Sequence, residues 1–244
     1  MYKKQKNFVA VIPARVGSKE IKKKNIFPIN GHPLVSYSIE AAKRSKFIKK
    51  IFVSTDGKDI AKVAEKYGAI IIKRPKHISS NAAQIEPAIL HAIRYVEKVY
   101  KEKIDNIVLL QPTSPLRRID DLDNAINKFI KDKADSLFSC VNLHPHVWRD
   151  KNSKILPLGH NPSKRVNRQN MLHRDLIEDG SIYVTKKKIY EIKKNRLGGK
   201  ISKYIMENYS VFQIDTKNDL NFISTLLKKK IKKTLKIISP KRVK

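Results

Sequence analysis

Phe8-Val9-Ala10-Val11-Ile12-Pro13-Ala14-Arg15-Val16-Gly17-Ser18-Lys19-Glu20-Ile21-Lys22-Lys23-Lys24-Asn25 opens on an apolar run and ends in a loop carrying Gly17, Ser18 and five cations. Such a run reads as a buried strand, whose end aims backbone N–H groups outward from the sheet edge. Arg and Lys placed at that edge hold a polyphosphate by charge-assisted hydrogen bonds. Neither G-x-G-x-x-G nor G-x-x-x-x-G-K-[ST] occurs in the stretch, so neither a dinucleotide fold nor a P-loop NTPase follows from it. Read alone, it is equally a basic surface loop after a first strand.

Beyond it, predicted strands at 50–54, 69–73, 106–111 and 135–141 alternate with predicted helices at 33–45, 58–67, 83–99 and 119–133. That β-α rhythm belongs to a mostly parallel sheet. Ile85, Ala88, Ile89, Ala92, Ile93 and Val96 recur at three- and four-residue steps, one apolar stripe turned toward the sheet. The rhythm breaks over 144–178, where Pro145, Pro157 and Pro162 mark an insertion outside the main sheet. It resumes with a strand at 181–185, a short helix near 186–194, a strand at 209–214 and a last helix from Thr216, with Asp219 in its first turn. Residues 228–244 hold nine basic side chains and no acidic one, which reads as a solvated tail.

The formal net charge of +31 points to nucleic acid, an anionic membrane surface or a phosphorylated small molecule. Lysines outnumber arginines 41 to 12 and spread over nearly every predicted helix. Nucleic-acid readers cluster both on one face with aromatics, so nucleic acid is not the expected partner. The single cysteine, Cys140, excludes an intramolecular disulfide and a cysteine-based metal site. The early apolar run, broken at Pro13 and ended by Arg15, is too short for a secretory signal or a membrane span. A soluble cytoplasmic protein with no membrane partner is expected.

Four further polar stretches sit at predicted strand ends: Ser54-Thr55-Asp56, Lys73-Arg74-Pro75, Leu110-Gln111-Pro112-Thr113-Ser114-Pro115-Leu116-Arg117 and Gln213-Ile214-Asp215-Thr216. In an open α/β sheet the carboxyl ends share one crevice, so these residues should converge. With the first loop they resemble the acylneuraminate (CMP-sialic acid synthetase) cytidylyltransferases over roughly residues 8–230, LQPTSPLR being the most specific element. The resemblance implies an α/β fold with a Rossmann-like, mostly parallel sheet, helices on both faces and an inserted dimerisation segment. It implies a nucleotidyltransferase domain over 1–227, containing the inserted 144–178, and a basic tail at 228–244. The implied reaction is attack of the anomeric hydroxyl of a sialic, legionaminic or pseudaminic type acid on the α-phosphate of CTP, giving CMP-sugar and pyrophosphate. Mg²⁺ would be the cofactor and a homodimer the working form.

The resemblance also assigns roles. Arg15, Gly17, Ser18, Lys19, Lys24 and Asn25 would bind the nucleotide, with Arg15, Lys24 and Asp215 serving the chemistry. Arg74, Ser80 and Asn81 would contact base and sugar, Ser80 reading equally as a helix cap. Gln111, Thr113 and Ser114 would face the acceptor, and Arg117 a carboxylate or phosphate. Arg168-Gln169, ahead of Asp179-Gly180-Ser181-Ile182-Tyr183, is similar to a family signature in which Arg168 would bind the sugar carboxylate or form a dimer salt bridge. Asp215 would hold the metal, with Gln213 standing where the family places its first acidic residue; Asp56 is a further carboxylate or a helix cap.

Two departures bear on the first loop, usually close to R-G-G-S-K-G. Val16 and Glu20 replace glycines. A β-branched residue resists φ > 0 and a carboxylate repels a triphosphate, so the loop is expected to bend differently or to turn Glu20 away. The competing functions are a Kdo-type sugar nucleotidyltransferase, a branch with Asp soon after the glutamine where this chain has Thr113, and a basic nucleic-acid-binding protein on an inactive fold of this kind.

Overall fold

The computed structural model describes residues 7–243 except 19, 81–82, 102, 144–145, 171–174 and 242, with the backbone alone at 143 and 168. Alternate residues of β1 (Phe8–Pro13) serve opposite faces of a sheet: Phe8, Ala10 and Ile12 join one buried cluster, Val9 and Val11 another. A strand covered on both sides has no face to give to water, which is why the run is apolar throughout.

A short hairpin, β2 (Pro28–Ile29) and β3 (His32–Pro33), leads into α1 (Leu34–Arg44), β4 (Ile48–Thr55), α2 (Lys58–Lys66) and β5 (Ile70–Lys73). Next come α3 (Glu86–Tyr100), β6 (Asn106–Leu110), α4 (Asp121–Lys131) and β7 (Ser136–Leu143). Strands β8 (Val147–Lys151) and β9 (Lys154–Leu158) form a two-stranded sheet of their own. The remainder is β10 (Asp175–Lys186), α5 (Lys187–Lys193), β11 (Ile201–Ile205), α6 (Lys217–Leu226) and α7 (Lys229–Leu235).

The main sheet has seven strands in the order β5-β4-β1-β6-β10-β7-β11. Every neighbouring pair is parallel except the two made by β10. Helices cover both faces as expected: α1, α2 and α4 pack Ile39, Ile60 and Phe129 on one, α3 packs Ile89, Ile93 and Val96 on the other. Each such side chain withdrawn from water contributes about 1.5–3 kcal/mol, so a charge at Val11, 1% exposed, would break the core. From β1 the chain builds outward through β4 to β5, then returns to place β6 on β1's other side. That reversal leaves a crevice beyond the carboxyl ends of β1, β4 and β6.

Three expectations need correction. Residues 209–214 are not a strand: Asn208–Val211 is a 3₁₀ turn whose Ser210 Oγ donates to Asp179 Oδ2 at 2.7 Å. The strand beside β7 is β11 instead, where Ile201 and Ile205 are exposed while Ser202 and Tyr204 are half-buried. Its apolar pattern thus points at the wrong face. Strand β10 starts at Asp175, paired with Leu143, inside the stretch read as insertion. Lastly, 228–244 is not solvated throughout, because Ile237 and Ile238 are buried and Ile238 N donates to Arg117 O at 2.8 Å.

Candidate active site

The crevice is a cleft of about 650 Å³ lined by Arg15, Gly17, Ser18, Lys24, Asn25, Arg74, Gln111, Thr113, Gln213 and Asp215, among others. Residues separated by up to two hundred positions therefore meet around one space.

The loop after β1 is anchored from three sides. Val16 N donates to Asp56 Oδ1 (3.0 Å), Asn25 Nδ2 to Arg15 O (2.8 Å) and Arg15 Nη1 to Ser80 O (2.5 Å). Among its described residues the left-handed conformation falls on Lys23 (φ 55) and not on Val16, so the missing glycine at 16 leaves no backbone strain. Val16 lies over Gly57 instead, where a Cβ would come within 2.5 Å of its Cγ2. Asp56 is thus a loop anchor; α2 has Gly57 as N-cap and no side-chain cap. Glu20 is among the residues that line the cleft.

Arg74 is 6% exposed and donates to Ser54 O (2.7 Å) and Ser54 Oγ (3.1 Å). Burial pulls its guanidinium down to about 10, Asp56 opposing and Arg15 adding to the shift, because two cations share this wall. Lys24 Nζ reaches across to Asp215 Oδ1 (2.9 Å) and Ile214 O (3.0 Å). Ile214 N in turn donates to Thr113 O at 2.8 Å, which ties the 213–215 segment to the loop after β6. Gln213 lies over Gly180 (φ +66), where a Cβ would sit 2.7 Å from Gln213 Nε2. Thr113 Oγ1 faces Gln213 Oε1 at 3.4 Å.

Several expected site residues lie elsewhere. Ser114 Oγ donates to Asp179 O (3.2 Å) beneath the surface. Arg117 is 1% exposed and donates to Ser38 Oγ (3.0 Å), Gln111 O (2.8 Å) and Ser181 O (2.8 Å). It has no access to a ligand; it pins the main chain at Gln111 from inside. Ser80 contributes its carbonyl to Arg15 and caps no helix, since α3 begins at Glu86. Lys19, Asn81 and the Arg168 side chain lie outside the described residues. Sequence reading missed Gln84 and Ile85, which line the cleft; the signal was Pro87, which belongs at a helix start and leaves the residues before it in the strand-end loop.

The family model described as "Cytidylyltransferase" matches residues 9–238. The chain belongs to that cytidylyltransferase family. It is 35% identical over 214 residues to N-acylneuraminate cytidylyltransferase A of Danio rerio, covering 86% of this chain and 48% of that protein, so it spans about half the relative's length. Pseudaminic acid cytidylyltransferase of Campylobacter jejuni is 30% identical over 225 residues, 90% of this chain and 96% of that one. Among solved structures, a CMP:2-keto-3-deoxy-manno-octonic acid synthetase complexed with CTP superposes with a TM-score of 0.66 at 18% identity, covering 92% of this chain and 99% of that chain. The last likeness is one of fold. This cytidylyltransferase is a nucleotidyltransferase that uses CTP, and among its described residues no helix is long and apolar enough to cross a membrane.

Proposed function

We propose that this cytidylyltransferase joins CMP from CTP to the anomeric hydroxyl of a nine-carbon 2-keto sugar acid of the sialic, legionaminic or pseudaminic type, releasing pyrophosphate, as a cytoplasmic homodimer using Mg²⁺. The convergence of Arg15, Lys24, Asn25, Arg74, Gln111 and Asp215 on one cleft carries the reading. Displacement at phosphorus gathers negative charge on the α-phosphate and the departing pyrophosphate, and needs preorganised cations more than a covalent nucleophile. Arg15 and Lys24 supply them from a loop anchored before substrate arrives, Arg74 adds charge to the base end, and Gln111 and Thr113 present amide and hydroxyl to the acceptor.

Mg²⁺ would be held by Asp215, whose exposed carboxylate also accepts from Lys24 Nζ, and by the amide oxygen of Gln213, which also accepts from Thr113 Oγ1; an ion that keeps several waters and takes further oxygens from substrate phosphates needs few protein ligands. When bound, it neutralises phosphate charge and lowers the pKa of a coordinated hydroxyl. The dimer is supported by the separate β8–β9 hairpin, which exposes Trp148 (42%) and Ile155 (59%) on one face, apolar surface suited to a second copy.

Incubating the protein with CTP, Mg²⁺ and sialic, legionaminic, pseudaminic and Kdo acids tests the reading. Pyrophosphate release with a nine-carbon acid is expected. Silence across the panel from folded protein, or turnover with Kdo alone, would overturn it.

A further inference from the structure

Beside the cleft lies a second cavity of about 350 Å³, walled by His77, His91, Arg94 and Lys194 with apolar Pro87 and Leu90. Its one acidic lining residue, Glu86, is already engaged: Arg196 Nε donates to Glu86 Oε1 at 2.7 Å. Among the described residues Arg94 has no ion-pair partner, and His91 Nδ1 is buried with no hydrogen bond. Four nitrogen-bearing side chains thus line one space whose carboxylate is neutralised, Lys194 Nζ donating also to Glu191 O at 2.5 Å. Burial, and after it the neighbouring Arg74, His77 and Arg94, holds His91 below its ordinary pKa. Cationic side chains and ring donors gathered around one space are what an anion pairs with.

We propose that this cavity binds a small phosphate-bearing anion, outside the nucleotide cleft. Arg94 and Lys194 provide the charge, His77 and His91 the shorter ring donors, and the volume admits orthophosphate or pyrophosphate. Ile78 and Gln84 line both cavities, and the same loop carries Ser80, whose carbonyl holds Arg15. An anion clasped here braces that loop and tightens nucleotide binding. The coupling, unlike the binding, rests on the reading of the first cleft as the CTP site.

Calorimetric titration of the full chain with sodium pyrophosphate, and separately with sodium phosphate, tests this on wild type, Arg15→Ala and the doubly substituted Arg94→Ala/Lys194→Ala. Wild type should take up two pyrophosphates per chain and each variant one, the double variant's lost site weakening by about tenfold or more. Pyrophosphate at the second site names the reaction product as occupant; orthophosphate there with pyrophosphate confined to the cleft names the free ion. A double variant that binds both ions as wild type does overturns the inference. A second measurement uses no substitution at the site: in Arg15→Ala, the His91 ring resonances should shift on adding phosphate, and unmoved resonances count equally against it. Failure of the CTP reading appears instead as unchanged anion binding in Arg15→Ala.

Discussion

The two loops that close the cleft leave neighbouring strands and carry the same kind of charge, yet they use arginine in opposite ways. After β1, Arg15 lines the cleft and is steadied at its tip by one carbonyl, Ser80 O. After β6, Arg117 turns inward and spends three donations on Ser38, Gln111 and Ser181. Burial pulls Arg117 down to about 10, Asp179 and Asp121 opposing. Burial pushes Asp179 up, against donors from Ser139, Ser181 and Ser210. One loop keeps its cation available to a ligand; the other consumes its cation to hold Gln111 in place.

Replacing the inward arginine should have the largest effect. Arg117→Ala removes all three donations and leaves Asp179 without its cation, costing about 3–5 kcal/mol; denaturant unfolding reads this, and a loss below about 0.5 kcal/mol would erase the contrast. Arg15→Ala should do the reverse, leaving unfolding within about 0.5 kcal/mol while CTP turnover falls about 10²- to 10³-fold, measured by pyrophosphate release. Gly180→Ala sharpens the second loop's side: at φ +66 with Gln213 Nε2 2.7 Å from the new Cβ, about 1–2 kcal/mol of stability should go.

The smallest effect is a control remote from both loops. Lys186 Nζ (2.7 Å) and the Lys200 N–H (2.9 Å) hold the Asp135 carboxyl down at about 2. A carboxyl lowered by folding contributes stability that is complete above its unfolded pKa near 3.8 and fades as pH drops toward 2. Solvent screening keeps that contribution under about 1 kcal/mol. Acid titration of Tm should therefore fall less steeply between pH 4 and 2 in Asp135→Asn, with no change in turnover at neutral pH.

Periodicity made the sheet legible because β1, β4, β6 and α3 bury whole faces, and burial leaves an apolar pattern. It failed at β11, an edge strand whose isoleucines face out, and at 209–214, where an alternating stretch folds into a turn that satisfies buried Asp179. At the site, Lys24 came from the resemblance and Asp215 from a strand expected over 209–214 that does not form, whereas strand-end position itself placed Arg15, Arg74 and Gln111 in the cleft. It did not distinguish Arg117 from them, since direction depends on Ser38 and Ser181, which come from other elements. Nor did it foresee that Val16 would trade a left-handed turn for a seat over Gly57, a contact made across forty residues.

The strap at the far end of the chain has a genetic consequence. Ile238 N and Lys236 O clasp the main chain at Arg117 and Ile119, and Ile237 is sealed among Leu116, Ile214 and Ile223. A nonsense codon at Lys228, which on composition alone would delete no more than surplus lysines, would untether the segment that steadies Gln111 and bare an apolar seam beside Asp215.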